Sequence, residues 1–335
     1  MNYKKLNLKK VIYRILITLA IIIILPIIIN QFSPWPSALI IRYAFEQGGK
    51  QTNEKLEKHV PIEVAVKLDI NYNSKDSDAK LDLYYPAEAN QNLPLIVWVH
   101  GGGWVSGDKQ QSSNYYKILA NRGYIVASID YTIAPEKKYP TPVKQTMTAL
   151  KYLHDNSETF NINSSSIFLA GDSAGSHIVS QVANILSEPS YAKSMDISPS
   201  IERSKIKGLI LYCGAYNAKN LSNEGAFGWF LNTVLWSYSG EKDFTSDPYF
   251  NTASIIDYVG HNFPPSFISA GNGDPLLSHS QELATKLQSL NVKTDTLFFD
   301  KNFKPELPHE YQFDLDVEAG RIALERSISF LESHQ

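Results

Sequence analysis

Apolar and polar positions divide this chain into three regimes. From Ile15 to Ile29 every residue is apolar except Thr18. Extended to Val11 and Phe32, the run is roughly 20 residues long, the length at which an α-helix rising about 1.5 Å per residue crosses bilayer hydrocarbon. Residues 37–60 read as a connector, with a helical patch from Ala38 to Phe45, a polar stretch from Gln47 to Lys58, and a possible role as part of a cap. Beyond Pro61 the period changes to two. Val64, Val66, Leu68 and Ile70, then Leu81, Leu83 and Tyr85, alternate with polar residues across a polar turn and predict a β-hairpin.

Leu95 to Val99 is apolar without alternation, as in a strand covered on both faces of a parallel sheet. Strand patterns then alternate with helical ones: strands at 125–129, 167–170, 206–212, 266–270 and 294–299, helices at 115–121, 143–154, 176–186, 279–290 and 319–331. Such alternation predicts an α/β fold with a mostly parallel sheet, helices on both faces, and ligands beyond the C-terminal strand ends. An insertion at about 215–262 interrupts it. Phe227, Trp229, Phe230, Trp236 and Tyr238 lie there at helical spacing, as a core helix or as a lid over the strand ends.

Composition changes this picture in two places. The 335 residues are 43% hydrophobic and 19% charged, which is globular, and the net charge is −3. Five positives, Lys4, Lys5, Lys9, Lys10 and Arg14, stand before the long apolar run and leave 26 basic against 34 acidic residues elsewhere. The acidic remainder argues against nucleic acid as a partner. The leading lysines predict a single-pass anchor at 1–36 with the catalytic body, 61–335, on the extracytoplasmic side. A cleaved signal peptide shares the basic and apolar regions, but residues 30–36 lack a small-x-small cleavage site. Cys213 is the sole cysteine, so neither an intramolecular disulfide nor a cysteine-based metal site is expected.

Candidate chemistry sits at the strand ends. Gly171-Asp172-Ser173-Ala174-Gly175 follows an apolar strand and opens a helix, the setting of a nucleophilic serine on a sharp turn. His100-Gly101-Gly102-Gly103-Trp104 follows Val99 directly; a glycine run lets several N–H groups approach one developing oxyanion. A nucleophilic serine needs an imidazole held by a carboxylate. Order along the chain and placement leave His309, in a loop flanked by Pro305 and Pro308, and Asp274, in the turn Gly271-Asn272-Gly273-Asp274-Pro275 after a strand. An unperturbed histidine as base predicts activity rising through pH ~6.5.

These segments, with Asp130-Tyr131-Thr132-Ile133-Ala134-Pro135-Glu136, resemble the α/β-hydrolase esterases of the hormone-sensitive-lipase type and the neighbouring feruloyl and acetyl esterase group, over roughly residues 61–335. The resemblance implies the α/β-hydrolase fold with a cap insertion, hydrolysis of small carboxylic esters, and no cofactor or metal. It assigns catalysis to Ser173, Asp274 and His309, and the oxyanion hole to Gly102, Gly103 and Ala174. Trp104, Phe227, Trp229 and Phe230 are the candidate cap and substrate contacts. Two departures, Ser278-His279 where the family often has an acidic pair and Ser176-His177 in place of a further glycine, bear on cap geometry and substrate choice. Amide or formamide hydrolysis on the same triad, and ligand binding on an inactive hydrolase scaffold, are the alternatives.

Overall fold

The computed structural model describes residues 8–87, 92–218 and 225–335. Its strands are β1 (Val64–Asn71), β2 (Lys80–Pro86), β3 (Leu93–Val99), β4 (Ile125–Ile129), β5 (Ile162–Asp172), β6 (Ile206–Tyr212), β7 (Ser266–Ala270) and β8 (Thr294–Phe298). They form one sheet in the order β1-β2-β4-β3-β5-β6-β7-β8. β1 and β2 pair antiparallel, β2 runs antiparallel to β4, and the remaining ladders are parallel.

Successive residues of a strand face opposite sides, and β3 shows the consequence. Leu95, Val97 and Val99 enter one buried cluster, with Val143, Leu150, Ile178 and Leu283. Ile96 and Trp98 enter the other, with Tyr115, Leu119, Leu324 and Ile328. These partners lie on α3 (Ser113–Ala120), α4 (Thr141–Asp155), α5 (Ala174–Ser187), α8 (Leu277–Ser289) and α9 (Glu318–Glu332), so both faces of the sheet are covered by helices. The expected α/β architecture is therefore present. Two further helices are α6 (Pro189–Met195), which the hydrophobic pattern did not predict, and α7 (Gly225–Ser239), in the insertion.

The N-terminal elements are α1 (Leu8–Ile29) and α2 (Trp35–Leu56). α1 is long and apolar enough to cross a membrane, and the chain buries none of it. The connector expected over 37–60 is instead mostly one continuous helix. Its glycines and polar residues suggested interruption, but tertiary contacts along one face hold it: Ser37, Ala38, Ile41 and Leu56 are buried. Arg42 clamps it, forming hydrogen bonds of 2.7 Å with both carboxylate oxygens of Glu136 and donating to the carbonyls of Val105 at 2.7 Å and Ala134 at 3.0 Å. Such a two-pronged guanidinium–carboxylate pair fixes orientation as well as distance. Farther along, Asn53 bonds the Ser113 hydroxyl and the Asn114 backbone at the start of α3.

Candidate active site

β5 ends in the middle of the sheet and turns at once into α5. Ser173, between them, has φ 49° and ψ −118°, a conformation L-residues rarely adopt and that persists only where surroundings impose it. The surroundings are specific. The Ser173 N–H donates to the Tyr212 carbonyl at 2.9 Å, and the Ser176 hydroxyl is 2.6 Å from the Gly171 carbonyl and 2.8 Å from that of Tyr212. A side chain at Gly171 would lie 2.6 Å from the Gly175 carbonyl carbon, and one at Gly175 would strike the Val99 backbone. Both positions need glycine because strand and helix pack backbone against backbone.

The glycine loop after β3 lies beside this turn. Gly102 and Gly103 have φ of 96° and 59°, and their N–H groups have no acceptor among the described residues. Ala174 begins α5, so its N–H belongs to the unpaired first turn. The loop is tied to the elbow through Asp172, buried beneath it. One carboxyl oxygen accepts from Trp98 Nε1 and the other from the Gly101 N–H, each at 2.8 Å. Burial raises the Asp172 pKa to about 8, and the carboxyl of Glu310 next to it pushes the same way. From behind, the Tyr131 ring stacks on His100 at 4.3 Å and its hydroxyl donates to the Gly101 carbonyl at 3.1 Å.

Asp274 and His309 arrive from the loops after β7 and β8. His309 Nδ1 is 2.9 Å from Asp274 Oδ2, and the Asp274 side chain has no exposed surface while that of His309 keeps 32%. Burial alone would lower the His309 pKa; the interaction with the Cys213 sulfur, then the hydrogen bond and charge of Asp274, override it and hold the imidazole above its ordinary 6.5. Cys213, just past β6, also meets this ring, which the sequence did not suggest. Its Sγ, an Asp274 oxygen and a His309 nitrogen lie within 4.8 Å of one another, a donor set of the right kind for a soft divalent metal. Burial pushes the thiol up to about 11, so it is neutral near pH 7.

Ser173 and His309 open on one cavity of about 500 Å³. Its walls are mostly apolar: Phe45 from α2, Phe227 and Phe230 from α7, Leu276, and Phe313. Of the expected cap contacts, Phe227 and Phe230 line it. Trp104 and Trp229 do not. Trp104 is buried, stacked on Tyr238 at 4.8 Å, because its φ of 61° turns it away into the core. Trp229 is 47% exposed and faces Asn30 and Gln31 outside the cavity. The sequence reading missed Phe45, Gly48, Gly49 and Thr52, a whole wall supplied by α2, and Glu310, whose Oε1 is 3.9 Å from His309 Nε2. The spacing of Ile41, Phe45, Gly48, Gly49 and Thr52 on one helical face was the available signal. His177 and His279, set aside from catalysis, are both buried: His177 bonds the Ala253 carbonyl at 2.8 Å, and His279 Nδ1 accepts from the Asn217 N–H at 3.2 Å.

The chain is similar to known esterases. The chain is 26% identical over 258 residues to an esterase of Gibberella moniliformis, covering 73% of this chain and 77% of that one. It is likewise 26% identical over 261 residues to an arylesterase of Saccharolobus solfataricus, covering 76% and 81%. Among solved structures, an inhibited esterase B from Lactobacillus rhamnosis superposes with a TM-score of 0.75 at 23% identity, over 89% of this chain and 97% of that one. The BD-FAE family profile matches residues 81–287. With that match, the elbow turn and the mostly parallel sheet, the chain belongs to the BD-FAE family of α/β-hydrolases.

Proposed function

We propose that this protein is a membrane-anchored serine hydrolase of small carboxylic esters, with short to medium acyl chains or aryl and acetyl groups. The observation that carries the reading is the strained Ser173 opening on the same cavity as His309, with the imidazole Nδ1 held by Asp274. Ser173 Oγ attacks the acyl carbon while His309 Nε2 takes its proton. The N–H groups of Gly102, Gly103 and Ala174 receive the negative charge that develops on the carbonyl oxygen. His309 returns the proton to the departing alkoxide, leaving an acyl-serine, and water removes the acyl group by the same relay. Asp274 holds the tautomer that leaves Nε2 free to accept. The esterases among the relatives support ester hydrolysis, and the aromatic lining supports an apolar acyl or aryl group.

α1 carries the anchor reading, and the positives before it support an extracytoplasmic catalytic body. The direct test of the chemistry is Ser173→Ala. Hydrolysis of a p-nitrophenyl ester should fall by on the order of 10⁴-fold or more with the thermal midpoint nearly unchanged. A variant that turns over normally would remove Ser173 from the mechanism.

A further inference from the structure

The outward face of α2 has no role in the reading above. Leu39, Ile40 and Tyr43 are 49%, 64% and 67% exposed, and with Trp35 they form one stripe at helical spacing, preceded by exposed Phe32 in the turn before the helix. The opposite face is the one that buries Ala38 and Ile41 and lines the cavity with Phe45, Gly48 and Gly49. The apolar stripe stops halfway. From Glu46 onward the outer surface is polar, with Lys50 and Glu54 exposed one turn apart.

A contiguous exposed apolar stripe marks an interaction surface. This one begins within a few residues of the end of α1, which is apolar throughout and unburied. Its aromatic members, Trp35 and Tyr43, are of the two types that collect at lipid headgroup level. The cap approaches the same place: α7 sets Trp229 and Trp236 beside Asn30 and Gln31, and Lys242 Nζ donates to the Gln31 carbonyl at 3.0 Å.

We propose that the first half of α2 lies in the lipid interface, and that the cavity it walls therefore accepts amphiphilic esters partitioned into the bilayer. This rests on the esterase and anchor readings. Continuity with the span selects lipid as the occupant over a protein partner. Because Arg42 clamps α2 to the loops beside the glycine run, docking of this helix sets the position of the whole catalytic body relative to the membrane.

The test uses the full chain in phosphatidylcholine vesicles. Ile40→Cys and Lys50→Cys are each labelled with an environment-sensitive fluorophore and exposed to nitroxide-bearing lipid; Cys213 is buried and does not compete. Docking predicts strong quenching at position 40 and little at 50, whereas equal quenching overturns it. A Leu39→Ser, Ile40→Ser, Tyr43→Ser variant should keep kcat/KM for a water-soluble acetyl ester within about twofold. For a monoacylglycerol in the same vesicles it should lose about tenfold, since interfacial binding scales with buried apolar area. A parallel loss on both esters, or none on either, overturns the substrate inference. Ser173→Ala separates the failures: if it retains both hydrolyses the Ser173 mechanism at this cavity fails, while the quenching result still decides the docking.

Discussion

The proton-accepting role proposed for His309 follows from its position, and the same position sets its titration. Asp274 lies 2.9 Å from Nδ1, and the imidazole is held well above its ordinary value. A base must be neutral to accept the serine proton, so the raised pKa moves the acid limb of kcat/KM to higher pH than the ~6.5 that the sequence alone suggests. A pH–rate profile with its half-maximum at or below ~6.5 would remove a raised His309 as the titrating base. Asp172 makes the opposite kind of contribution. An unfolded aspartate titrates near 3.9, whereas here burial and Glu310 hold the carboxyl protonated to about 8. Between those values the folded protein carries a proton that the unfolded chain has lost. Its stabilisation is thus full below pH ~4 and disappears as pH rises through about 8. Asp172→Asn should flatten the decline of the thermal midpoint with pH across that window, and an unchanged slope would assign the decline elsewhere.

At the scale of elements, two helices share the cavity and the structure separates their residues by task. Phe230 packs on Phe45 at 5.4 Å and on Phe227 at 5.9 Å, joining α7 to α2 across the cavity. Trp229, one residue earlier on the same helix, points elsewhere. Phe230→Ala should therefore change the ratio of kcat/KM between short and long acyl esters by roughly 10-fold, since a methylene-sized change is worth about 1–3 kcal/mol in a pocket. Trp229→Ala should leave that ratio alone. Gly48 gives a complementary experiment. A Cβ there would meet nothing within 4 Å, so a side chain at Gly48 can start into the cavity, and Gly48→Leu is expected to fill part of it. Leucine exceeds glycine in helix propensity by up to about 1 kcal/mol, so the midpoint should hold or rise while long acyl esters are selectively excluded. A changed midpoint with an unchanged chain-length ratio would show that α2 is structural only.

For the whole molecule, α1 and the α/β body are coupled through α2 rather than joined by an extended linker. α2 runs from the end of α1 to the cavity and on to the first strand, with its clamp at Arg42 and a second at Lys58 and His59, which reach Asp316 at 2.6 and 2.9 Å. The full chain should remain with membranes through an alkaline carbonate wash, because burying about 20 apolar residues in lipid is not reversed by removing surface charge. Release by the wash, or a mature chain beginning after about residue 33, would replace the anchor with a cleaved signal.

Strand–helix alternation, the elbow, the glycine loop and the Asp274 and His309 turns were legible in the sequence because each is local: a period, a spacing or a run of small residues states its own geometry. What the sequence could not state is where distant segments meet. Residues 37–60 read as a connector with a helical patch and a cap role as its alternative, because helix propensity is weak beside tertiary burial; packing of Ile41 and Leu56, with the Arg42 clamp, makes them a cavity wall. Trp104, Phe227, Trp229 and Phe230 were equivalent as aromatic residues near the site. Backbone angle and helix face sent two into the cavity, one into the core and one to the surface. Cys213 reaches His309 from the separate loop after β6, a contact that no spacing encodes. The sequence by itself determined the fold class and the kinds of chemical group at the strand ends; the tertiary structure alone decided the walls of the cavity and the charges facing its histidine, because those arise from contacts between segments far apart in the chain.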